Sequence, residues 1–160
     1  MTFSGSSDNV STLAHELGHA FHSSVLRDLP LLNQRYAMNV AETASTLAEL
    51  VVSDATIESA SSEAEKITLL DEKIARGAVM MMNIHARYIF EYNFYKEREN
   101  GIVSAERLSE LMLEAQKEAY EDALSSYHPM FWAAKLHFYS TGVSFYNFPY
   151  TIGYFFSLGI

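Results

Sequence analysis

The chain has 160 residues, 49% of them apolar, which suffices for a substantial core and is close to the usual size of one domain. A net charge of −9 and a pI near 5.0 argue against nucleic acid or an anionic membrane as a partner, because both select basic surfaces. Without cysteine there are no disulfides and no thiolate metal ligands, and no apolar run reaches the roughly 20 residues of a membrane span.

Residues 1–10 carry neither the charged start nor the apolar stretch of a signal peptide, so the chain is read as cytoplasmic. Helical periodicity dominates and glycine and proline are scarce, which predicts an all-α fold with at most a short edge strand over residues 1–4. The polar run Gly5-Ser6-Ser7-Asp8-Asn9 is a turn that caps a first helix over 9–27, ended by Asp28-Leu29-Pro30. A second helix is expected over 35–59. Ser62 and Glu65 form a capping-box pattern that opens a long third helix, stopped by Asn100-Gly101. Ser104 caps a fourth helix running to residue 125, with Leu108, Leu111, Met112 and Tyr120 toward the core. Pro129 starts a short helix through Leu136, a tyrosine-rich loop follows Gly142, and a last helix begins near Tyr150.

The first helix carries His15-Glu16-Leu17-Gly18-His19. Residues i and i+4 project from one helical face, so His15 and His19 offer two imidazoles to a single zinc, and Glu16 stands beside them as a general base. Apolar neighbours such as Leu13, Ala14, Leu17 and Phe21 make this a buried helix, where unpaired His and Glu would be costly. The competing reading is a helix with a solvated His and Glu face. Catalytic zinc takes three protein ligands and keeps one position for water. Glu42 is the candidate for the third, and Glu49, seven residues on and nearly on the same face, is positioned to hold a ligand imidazole by its free N–H. Against this stands the reading of both as ordinary solvated helix residues.

His15-Glu16-Leu17-Gly18-His19-Ala20-Phe21-His22 followed by Ala41-Glu42-Thr43-Ala44-Ser45 resembles the thimet oligopeptidase and oligoendopeptidase F family of zinc metallopeptidases. His137-Phe138-Tyr139 and Phe145-Tyr146-Asn147-Phe148-Pro149-Tyr150-Thr151-Ile152-Gly153-Tyr154 resemble that family's histidine and tyrosine segment, closest to the oligoendopeptidase F branch. The resemblance implies one zinc per chain on His15, His19 and Glu42, with Glu16 as base. It also implies His137 and Tyr146 at the oxyanion, and Tyr150 and Tyr154 as further substrate contacts. The implied substrate is an oligopeptide, held as an extended strand beside Met1-Thr2-Phe3-Ser4. Family enzymes are much longer, so residues 1–160 are expected to be a single catalytic domain truncated at both ends.

Two readings of another class stand beside this one, a zinc-binding helical domain without catalysis and a helical interaction module whose H-E-x-x-H is accidental. Among the other histidines, His22 is read as hydrogen-bonded near the site or solvated, His85 as a core or interface residue, and His128 as a helix cap. The methionines around Met81 are read as core filler.

Overall fold

A computed structural model describes residues 4–160. The fold is all-α, with no strand among the described residues. Met1, Thr2 and Phe3 of the expected edge strand lie outside them. Ser4 is not in a strand, and its N–H and hydroxyl both donate to Asn9 Oδ1 at 2.5 and 2.7 Å. Helix α1 spans Ser7–Leu26, α2 Thr43–Glu58, α3 Glu63–Ala78, α4 Ile84–Arg98, α5 Ala105–Ala119 and α6 Phe148–Leu158. The chain divides into two compact units, one of residues 1–77 with 149–160, the other of residues 78–148.

In the first unit Ser6 caps α1, its hydroxyl accepting from Asn9 N at 3.3 Å. The helix is not buried as expected. Only Ala14 and Gly18 are enclosed, while Leu13, Leu17, Phe21 and Val25 are exposed. The helix expected over 35–59 is in fact one 3₁₀ turn, Met38–Val40, followed by α2, with another 3₁₀ turn, Leu31–Gln34, before it. Glu42 is therefore the N-cap of α2 (φ −100°, ψ 6°) rather than an interior residue. At the head of α3 the capping box is displaced by one residue. Glu65 N donates to Ser62 Oγ, but the Glu65 carboxylate accepts from the N–H and hydroxyl of Ser61.

Two glycines set the spacing of this unit. A Cβ on Gly18 would lie 2.5 Å from Ala44 O and 2.6 Å from Ser45 Cα, so the absence of a side chain lets α1 rest directly on the start of α2. A Cβ on Gly153 would lie 2.7 Å from Glu42 O and 2.8 Å from Thr46 Oγ1, so α6 approaches the same turn as closely. Ser157 and Thr46 hydroxyls meet there at 3.1 Å.

The second unit opens with a π-helical turn, Val79–Asn83, that interrupts the expected single long helix between α3 and α4. Ser104 caps α5 as expected, accepting from Arg107 N at 3.2 Å. Helices α4 and α5 close on a core of Ile89, Phe90, Leu111, Met112 and Ala115, flanked by Leu108, Phe131, Trp132 and Phe138. The fourth helix ends at Ala119, short of residue 125. The stretch from Phe131 to Tyr139 forms two 3₁₀ turns rather than one helix. His85 is exposed, so it is not a core residue of this unit.

Candidate metal centre

Because Gly18 lets α1 rest on the start of α2, the histidine face of α1 meets the N-cap of α2. His15 Nε2, His19 Nε2 and Glu42 Oε2 form a nearly equilateral triangle, with sides of 3.1 Å between the imidazoles and 3.2 and 3.3 Å from each to the carboxylate. Zinc bonds of about 2.0–2.2 Å in tetrahedral geometry put neighbouring ligand atoms roughly 3.3–3.5 Å apart, so the three atoms are spaced as ligands of one zinc would be. Glu42 is buried, 2% exposed, and the Ser45 hydroxyl donates to its Oε2 at 2.9 Å, which fixes the carboxylate's rotation. Its place at the N-terminus of α2 also suits a negative charge.

The other nitrogen of His15, Nδ1, lies 2.5 Å from Glu49 Oε1. Glu49 is buried, and its second oxygen accepts from Arg76 Nη1 and from the Ser11 hydroxyl at 3.4 Å. Burial disfavours the His15 cation, yet hydrogen bonds and charge from Glu42 and Glu49 outweigh it and push the imidazole up to about 9. The two buried carboxylates thus favour positive charge on His15, beside the Arg76 guanidinium already at Glu49.

Glu16, one residue on from His15, is exposed. Tyr150 on α6 flanks the cluster, its ring 6.3 Å from that of His15. Tyr154, one turn further, is buried beside Phe155. His22 stacks on Tyr36 with ring centroids 4.6 Å apart.

In the second unit His137 and Tyr146 stack on one another, 5.6 Å between centroids and 11° between planes. The segment that carries Tyr146 is held from α4. Phe145, at φ +59°, donates its N–H to Glu91 Oε1 at 2.7 Å, and Arg87 Nη1 donates to Asn147 Oδ1 at 3.1 Å. Burial raises the Glu91 carboxyl above the usual range and the Phe145 N–H works against it. Ser11, Ser45, Arg76, Arg87 and Glu91 were not singled out from the sequence. Ser45 follows Glu42 by three residues and was in principle legible, whereas Arg76 reaches Glu49 from another helix and left no local signal.

The model of peptidase family M3 matches residues 1–160. The chain is 29% identical to the chromosomal oligoendopeptidase F of Lactococcus lactis subsp. cremoris over 160 residues, 96% of this chain and 26% of that protein. It is 26% identical to oligopeptidase PepF of Bacillus subtilis (96% and 23%) and 26% identical to group B oligopeptidase PepB of Streptococcus agalactiae (92% and 25%). The chain thus spans about a quarter of the length of these relatives. No solved structure gives a significant match.

Proposed function

Since the chain belongs to peptidase family M3, we propose that it is the zinc-holding part of a metalloendopeptidase that hydrolyses oligopeptides, with His15, His19 and Glu42 as ligands and Glu16 as general base. The observation that carries this is the triangle of His15 Nε2, His19 Nε2 and Glu42 Oε2 at 3.1–3.3 Å, with the remaining nitrogen of His15 already taken by Glu49. Zinc in that place supplies Lewis acidity and makes water a nucleophile near pH 7.

The chain's own groups do the rest. Glu49 fixes the His15 tautomer with hydrogen on Nδ1, so that Nε2 presents its lone pair. Glu16, exposed and on the histidine-bearing helix, takes a proton from the attacking water on its carboxylate. As the C–N bond breaks it delivers that proton to the departing amine nitrogen. His137 and Tyr146, assigned through their likeness to the family's histidine and tyrosine segment, donate hydrogen bonds to the oxyanion as charge develops on the former carbonyl oxygen. Tyr150, flanking His15, and Tyr154 on the same helix are assigned to the substrate side. The relatives' names, oligoendopeptidase and oligopeptidase, support peptides of limited length as substrates. A cytoplasmic setting belongs to the same proposal. No helix among the described residues is long and apolar enough to cross a membrane.

Glu16→Gln tests the assignment of the base. It removes the proton acceptor and leaves the ligand triangle untouched, so zinc content should hold while turnover in the active enzyme drops by roughly 10² to 10⁴. Near-normal cleavage by that variant would move the base elsewhere.

A further inference from the structure

We propose that Arg76 is a positioning residue of the metal centre, acting through Glu49 and Ser11 to set the orientation of His15; this rests on the reading of His15, His19 and Glu42 as metal ligands. A carboxylate that touched only His15 could rotate and offer either oxygen. At Glu49 the two oxygens are divided. Oε1 is at His15 Nδ1, 2.5 Å away, and Oε2 accepts from Arg76 Nη1. The other arm of the guanidinium, Nη2, donates to Ser11 Oγ at 2.6 Å, and that hydroxyl donates back to Glu49 Oε2 at 3.4 Å.

Ser11 stands one helical turn before His15 on α1, Glu49 lies on α2, and Arg76 comes from the last turn of α3. The closed ring of Ser11, Glu49 and Arg76 therefore ties three helices at the point where the imidazole is held. Arg76 also adds a permanent cation to a cluster with two buried carboxylates, Glu42 and Glu49. The planar fork reaches two acceptors at once, which a lysine ammonium cannot do with the same geometry.

The test is the zinc dissociation constant of the folded chain, measured by competition with a chromophoric chelator, beside the melting temperature of the metal-free chain. Arg76→Met should weaken zinc binding by roughly 10 to 100 fold, the scale for loss of a group that orients a ligand. Arg76→Lys should fall between it and the parent. In a Glu49→Ala background Arg76→Met should add nothing, because the carboxylate through which it acts is gone. A role confined to holding α3 would lower the melting temperature and leave the zinc constant where it was.

An unchanged constant in Arg76→Met, or effects fully additive with Glu49→Ala, overturns the proposal. Should Arg76→Met fail to fold, Ser11→Ala decides. It keeps the guanidinium and removes one of its two acceptors, so a several-fold loss is expected and no loss overturns the idea. If His15→Ala and His19→Ala also leave zinc binding intact, the ligand reading itself has failed, and that outcome is separate from failure at Arg76 alone.

Discussion

Gly18 does more for the site than its place between two histidines suggests. A methyl group there would stand 2.5–2.6 Å from the backbone of Ala44 and Ser45, and backbone cannot step aside as a side-chain tip can. Gly18→Ala should therefore push α1 off the head of α2, costing about 1–3 kcal/mol of stability and weakening zinc binding as the imidazoles leave Glu42. Calorimetry with zinc titration checks both, and a variant with parental zinc affinity would show that the helices have room to adjust. At the other end of the residue scale stands Glu91, whose burial holds its carboxyl above the usual range. An acid with a raised pKa in the fold binds its proton more tightly there than in the unfolded chain. Stability from this group is therefore present at low pH and lost as pH rises from the ordinary carboxylate range through the folded value. Glu91→Gln keeps an acceptor for Phe145 N and has no charge to bury, so its stability relative to the parent should increase with pH across that window. Parallel stability profiles for the two proteins would contradict this. The pairing of His15 with His19 on one helical face was legible because their spacing is local. Arg76 and Glu91 were not, because each finds its partner 27 and 54 residues away.

Among the elements, the existence of the helices was readable and their interruptions were not. The residues from Asn33 to Val40 are compatible with helix, yet the chain passes through extended backbone at Arg35 and Ala37 and restarts only at Thr43. The break is what puts Glu42 at a helix terminus, where its carboxylate turns back toward α1. The π turn at Val79–Asn83 was similarly silent, since its residues favour helix and a single wide turn disturbs no sequence signal. Ile67 and Ile74 before it are exposed, whereas Ile84, Ile89 and Phe90 after it are buried. Caps were the most legible element feature, because each is made within three or four residues. Ser104 Oγ accepts from Arg107 N, so Ser104→Ala should cost about 1 kcal/mol, read as a lower denaturant midpoint with an unchanged slope. An unaltered midpoint would mean that water replaces the hydroxyl at no loss.

For the whole molecule, helical periodicity correctly indicated an all-α protein, and family membership could be anticipated from motifs spread from His15 to Tyr154. The division into two units was not legible, because Gly77 at the boundary is a lone glycine inside a stretch whose pattern is otherwise helical. The ligand triangle and Glu49 lie within residues 1–77, so metal binding is assigned to groups of a single unit, while His137 and Tyr146 belong to the other. The central claim is that this triangle holds one zinc, and metal content tests it most directly. The chain, stripped by chelator, reconstituted with zinc and dialysed, should carry about one zinc per molecule, as one such ligand set implies. His15→Ala and His19→Ala, still helical by circular dichroism, should carry none. A folded parent chain without zinc, or a zinc content that survives both substitutions, would contradict the account.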